Sequence, residues 1–221
     1  MPIARMLKGY REFKTGMHEG SREKFESMVH EGQHPGAAVI ACSDSRVDPA
    51  FVFRAEPGDV FMIRNVANLV PPMEEGGTFH GTSAALEYAV LGLNVPNIVV
   101  LGHAHCGGVK AMIDGEAMTE AGYSFVPGWV STLSAAHRRA LATMPDATDE
   151  EIARVCERNA VLVSLENLTT FPWIRERMAA KTLKLHGWYF DLETAGLEIY
   201  DSATGRFEKA ENSAAFFQDG L

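Results

Sequence analysis

The chain has 221 residues, 46% hydrophobic and 22% charged, which excludes a disordered or membrane-embedded polypeptide and suits one globular domain spanning 1–221. A formal net charge of −9 without any dense Lys/Arg run argues against nucleic acid as a partner. No apolar run approaches the roughly 20 residues that cross a bilayer, and the opening MPIARMLKGYREFKTG is not signal-like, so no membrane association and a cytoplasmic location are expected.

In chain order, Met6, Tyr10, Phe13 and Met17, then Phe25 and Met28, recur at roughly helical spacing. One or two amphipathic helices are expected over residues 1 to about 30, a helical arm whose apolar stripes pack on a partner subunit. From Gly36 the run GAAVIACSD is short, apolar and β-branched, as in a strand buried on both faces of a parallel sheet. DVFMIRN around Phe61 and NIVVLGH ending at His103 have the same character. Between them, Leu86, Ala89, Val90 and Leu93 form the stripe of a helix over 78–93, which makes a βαβ crossover. Ile152, Val155, Cys156, Ala160 and Val163 share one helical face, and a further helix is expected from near Pro172 to about Lys181. The segment HGWYFDLETAGLEIYDS alternates about a Thr-Ala-Gly turn and predicts a hairpin at the sheet edge. The expected class is α/β, with a mostly parallel central sheet flanked by helices.

Chemistry concentrates in ACSDSR at 41–46 and GHAHCGG at 102–108, each where a buried strand is predicted to end. Open parallel sheets bind ligands beyond the carboxyl ends of their strands. Three cysteines in a reducing compartment favour metal binding or catalysis over disulfides. Cys42, His103 and Cys106 would supply two thiolates and an imidazole, a catalytic zinc set that leaves a fourth position open. Cys106 is expected to open the next helix, and Gly107 with Gly108 to let the backbone pass close to the ion. Asp44, two residues after Cys42, would face the same way on an extended strand, and Arg46 can hold its carboxylate through paired N–H donors. The alternative is a closed, folding-only site with Asp44 as fourth ligand. Cys156 is expected in the core; His105 lies inside the second motif, but its offset from His103 points it elsewhere, with a supporting or proton-relay role the lesser alternative.

These residues resemble the beta-class carbonic anhydrases, whose motifs are Cys-x-Asp-x-Arg and, about sixty residues later, His-x-x-Cys. The likeness extends through GQHPG at 32–36, PGDVFMIRNVANLVPP at 57–72, ALEYAV and NIVVLGHAHCGGV, with SLENLTTFPWIRE at 164–176 a looser match. It implies zinc on Cys42, His103 and Cys106, a catalytic dyad of Asp44 and Arg46, hydration of carbon dioxide to bicarbonate, and a homodimer or homotetramer. In the plant-like branch a glutamine, a phenylalanine and a tyrosine line the substrate pocket, partly from the neighbouring subunit; Gln33, Phe61 and Tyr88 match them. Another branch carries a tryptophan three residues before the first cysteine, in an inhibitory bicarbonate site. Here that position is Val39, so strong inactivation by bicarbonate is not expected, although Arg64, part of that site elsewhere, is present. Zinc lowers the pKa of bound water so that hydroxide can attack carbon dioxide. Two thiolates offset the ion's charge, so activity is expected to rise towards alkaline pH. Hydrolysis of carbonyl sulfide or carbon disulfide on the same scaffold, or a zinc sensor without turnover, are the competing functions.

Overall fold

A computed structural model of the chain describes residues 2–16, 19–74, 76 and 80–212. Two compact units are present, Met1–His34 and Pro35–Leu221. In the first, α1 (Pro2–Gly16) and α2 (Glu19–Glu31) meet through an edge-to-face contact of Phe13 and Phe25, ring centroids 5.9 Å apart. Nothing on α1 is buried, and Ile3, Met6, Leu7, Tyr10 and Phe13 are each more than half exposed. Met17, placed by the sequence on the same stripe, lies outside the described residues.

The second unit runs β1 (Ala37–Cys42), α3 (Pro49–Val52), β2 (Val60–Asn65), α4 (Gly81–Glu87), β3 (Asn97–His103), α5 (Gly107–Asp114), α6 (Glu116–Glu120), α7 (Val126–Val130), α8 (Ser134–Thr143), α9 (Asp149–Leu168), α10 (Pro172–Ala179), β4 (Lys184–Phe190), β5 (Leu197–Asp201) and β6 (Arg206–Lys209). The strands form one sheet in the order β2-β1-β3-β4-β5-β6. Pairing is parallel from β2 to β4, and antiparallel between β4 and β5 and between β5 and β6. β1 and β3 are apolar throughout because both their faces are covered. Val39, Ala41, Val99 and Leu101 pack with Val109 of α5 and Ile152, Cys156 and Ala160 of α9. Their alternates Ala38, Ile40, Ile98 and Val100 pack with Leu86 of α4 and Ile174 of α10, as the period of two requires. α9 starts where Thr148 and Glu151 form a capping box, which satisfies backbone donors at the helix end.

Several expectations change in detail. The β4–β5 hairpin forms, but β4 is interior and the outermost strand is β6, which the sequence pattern did not announce. The helix expected over 78–93 is α4, continued as a wider turn over Tyr88–Gly92; residues 78 and 79 lie outside the described residues. α5 opens at Cys106 as expected, while α6 to α8 fill 116–143, where no periodicity stood out. Among the described residues no helix is long and apolar enough to cross a membrane.

Candidate metal centre

From β1 the chain passes to β2 on one side and then to β3 on the other, so the ends of β1 and β3 flank the sheet's switch point, where open α/β sheets bind ligands. Cys42 is the last residue of β1 and His103 the last of β3, and the two strands are hydrogen-bonded neighbours with Ala41 opposite Leu101. Cys106 is the cap residue of α5, three residues beyond His103. All three side chains are buried, and their ligating atoms lie within 4.8 Å of one another.

Two observations test whether this trio fits zinc. The sulfurs of Cys42 and Cys106 are 4.0 Å apart, with both cysteines free; two thiolates on a tetrahedral zinc sit roughly 3.8 Å apart by the Zn–S length. Nδ1 of His103 lies 2.8 Å from the carbonyl oxygen of Ala104, which can only accept, so Nδ1 carries the proton. In the neutral imidazole Nε2 is then the lone pair, buried and without a hydrogen-bond partner. An unsatisfied nitrogen beside two thiols is costly unless a cation completes it, and the residues fit zinc. Without the ion the thiols share their protons: the hydrogen bond from Cys106 holds Cys42 well below the ordinary thiol range. The same contact and burial push Cys106 up. Burial pushes His103 down, but the Cys42 thiolate outweighs it and the net direction is up.

Asp44 does not follow Cys42 on an extended strand as expected; β1 stops at Cys42, and Asp44 stands in the turn, its carbonyl accepting the Val47 N–H at 3.3 Å. Arg46 grips its carboxylate bidentately, Nε to Oδ1 at 3.0 Å and Nη2 to Oδ2 at 2.7 Å, and the Arg46 backbone N–H adds a bond at 2.9 Å. That contact with Arg46 lowers the Asp44 pKa to about 2. Nη2 of Arg46 also donates to the His105 carbonyl at 3.0 Å, tying the two motifs together. The His105 ring itself sits between Glu193 (2.6 Å) and Arg154 (3.0 Å).

Arg64 has a larger part than the sequence suggested. From β2 its guanidinium donates to the carbonyls of Cys42 (2.8 Å), Asp44 (2.7 Å) and Val47 (3.3 Å) and pairs with Asp48 at 2.8 Å. It thereby holds the whole 42–48 turn. Gly108 is needed for packing: a Cβ there would stand 2.7 Å from Val66 and 2.8 Å from Ala67, while one at Gly107 would meet open space. The neighbouring segment is held by Asn65, which exchanges bonds with both backbone groups of Leu69. Cys156 is fully buried in the core.

Phe61 and Tyr88 do not lie at this centre within one chain. They touch each other, ring centroids 5.9 Å apart, but Phe61 is opposite Ala38 while Asn65 is opposite Cys42. Four strand residues span about 13 Å. Gln33 is exposed and belongs to the first unit. Beside the strand ends an open groove of about 760 Å³ is lined by Asn65, Val66, Phe125 and Trp129 among others.

An open sheet bearing this trio at its switch point belongs with known relatives. Residues 37–197 match the family described as Carbonic anhydrase. A carbonic anhydrase of Synechocystis sp. is 36% identical over 205 residues, covering 93% of this chain and 73% of the relative. Among solved structures, the beta-carbonic anhydrase CcaA superposes with a TM-score of 0.87 at 35% identity, over 94% of this chain and 91% of that one. A structure described with two tetrameric beta-carbonic anhydrases of Sordaria macrospora gives 0.69 at 28% identity, over 94% and 93%. The chain belongs to the carbonic anhydrase family, in its beta class, and carbonic anhydrase activity goes with that membership.

Proposed function

We propose that the chain is a zinc enzyme that reversibly hydrates carbon dioxide to bicarbonate and a proton, with one ion per subunit on Cys42, His103 and Cys106. The observation that carries the reading is the buried, unpartnered Nε2 of His103 facing two free thiols. Zinc held there supplies the Lewis acidity that makes water a nucleophile near neutral pH. Two thiolates offset the dication's charge, so the rate rises from about pH 6 to about pH 9.

Asp44 and Arg46 form the catalytic dyad. Asp44 is ionised, an acceptor only, and Arg46 fixes its carboxylate in place, so that it can take the nucleophile's O–H and aim the oxygen lone pair at carbon dioxide. Released from Arg46, the same carboxylate can occupy the fourth ligand position and exclude water. Gln33, Phe61 and Tyr88 act on a neighbouring subunit's site, Gln33 donating to a substrate oxygen and the two rings making an apolar wall. The exposed stripe of α1 supports a homodimer or homotetramer, and the expected location is cytoplasmic.

Stopped-flow hydration of carbon dioxide by wild type and Asp44→Ala, with zinc content measured in both, tests the reading. Fast wild-type turnover with stoichiometric zinc, and loss of turnover but not of zinc in Asp44→Ala, is the expected result. A purified, metal-replete protein without zinc, or a flat rate from about pH 6 to about pH 9, would sink it.

A further inference from the structure

Glu157 of α9 is only 2% exposed, a depth at which carboxylates are rare unless paired. Its Oε1 accepts the backbone N–H of Cys106 at 3.0 Å. Its Oε2 accepts the Tyr189 O–H at 2.8 Å and pairs with Nη1 of Arg154 at 3.0 Å. Arg154 in turn donates from Nη2 to Nδ1 of His105 at 3.0 Å. The turn from His103 to Cys106 is therefore held from α9 at two successive residues and by Arg46 at the His105 carbonyl. Tyr189 is itself fixed: its ring lies 4.0 Å under the Arg158 guanidinium, which grips Glu198 bidentately.

A backbone amide points one way only. Fixing the Cys106 N–H fixes the peptide plane between His105 and Cys106, hence the N–Cα bond from which Cys106 projects its sulfur. An apolar side chain at 157 would leave the Cys106 N–H and the Tyr189 O–H without an acceptor. We infer that Glu157 is a positioning residue of the metal centre, which sets the orientation of Cys106 Sγ through the Cys106 N–H and so the affinity and geometry of the bound ion. The inference rests on the reading of Cys42, His103 and Cys106 as zinc ligands and adds to it a residue outside both motifs. Groups that orient metal ligands change affinity by about 10- to 100-fold when removed.

The test uses zinc alone, titrated into metal-free protein against a chromophoric chelator, and the visible spectrum of the cobalt(II)-substituted protein. Glu157→Leu should weaken zinc by about 10- to 100-fold and alter the thiolate-to-cobalt absorption. Glu157→Gln should recover most of the affinity, because its amide oxygen can face Cys106 while the Tyr189 hydroxyl rotates to accept from the amide nitrogen. Ser164→Ala, on the same helix, breaks an equally buried set of bonds to Asn68 and Val70 and should leave zinc affinity and spectrum unchanged. Should Glu157→Leu not fold, Glu157→Asp carries the same expectation, since it keeps the charge and withdraws the oxygens by one methylene. Unaltered zinc binding and spectrum in the Glu157 variants, or an equal loss in Ser164→Ala, overturns this inference alone. A wild type that takes up neither metal overturns the ligand assignment, and this inference with it.

Discussion

Arg46→Ala is the substitution that separates the placement of Asp44 from its charge. It removes the bonds of 3.0 and 2.7 Å to the Asp44 carboxylate and the 3.0 Å bond to the His105 carbonyl, while the Arg46 backbone N–H stays on Oδ1. Hydrogen bonds to charged groups contribute about 1.5–3 kcal/mol where solvent is kept out. Here the Arg46 side chain is 54% exposed and that of Asp44 17%, so screening reduces the pair to about 1–2 kcal/mol. Spent on orienting Asp44 in the transition state, that is a loss of about 5- to 30-fold in rate. The Asp44 pKa moves from about 2 back towards 3.8, still far below neutrality. The carboxylate stays ionised, and the loss should be the same at pH 7 and pH 9, both about three or more units above that value. Stopped-flow rates at equal zinc content for wild type, Arg46→Ala, Asp44→Asn and the double variant give the coupling, expected at about 1–2 kcal/mol. Strict additivity, or a wild-type rate in Arg46→Ala, would refute the dyad. A loss that tracks zinc content would move Arg46 from the reaction to metal retention.

Gly108→Ala sets a Cβ 2.7 Å from Val66 and 2.8 Å from Ala67; Ala67 already holds a left-handed φ of 63° and has little freedom to yield. A loss of about 1–3 kcal/mol is expected, visible as a lower thermal midpoint, and an unchanged midpoint would show that the segment gives way. Because Arg46 lowers the Asp44 pKa from 3.8 to about 2, the stabilisation from this group is complete above about pH 4 and lost as pH falls through about 2. The urea-unfolding gap between metal-free wild type and Asp44→Asn, about 1 kcal/mol after screening, should therefore close between those pH values, and a gap that widens on acidification contradicts it. Bicarbonate should not inactivate cooperatively, since Val39 stands in the tryptophan position and Arg64 is already bound to three carbonyls and Asp48. Sigmoidal inhibition in steady-state rates would disprove that.

What the sequence made legible is what short-range pattern encodes. β1 and β3 were visible because strands covered on both faces must be continuously apolar, and their ends located Cys42 and His103. α9 was visible from the spacing of Ile152, Cys156 and Ala160. The region 116–143 was not, because α6 to α8 are short. β6 was lost for a related reason: four residues at an edge carry only a weak alternation.

The supporting groups of the centre were illegible for another reason. Arg64 reaches Cys42 across 22 residues and Glu157 reaches Cys106 across 51, and no local rule gives either side chain its partner. Both act on backbone: Arg64 on carbonyls of the 42–48 turn, Glu157 on an amide of the 103–106 turn. Any residue can present those backbone groups, so nothing in the turn sequences betrays the contact. A motif such as Cys-x-Asp-x-Arg therefore records which atoms can meet an ion or a substrate. The buried charges that decide how rigidly those atoms are held are spread along β2 and α9, where they resemble ordinary helix and strand residues until the fold brings them together.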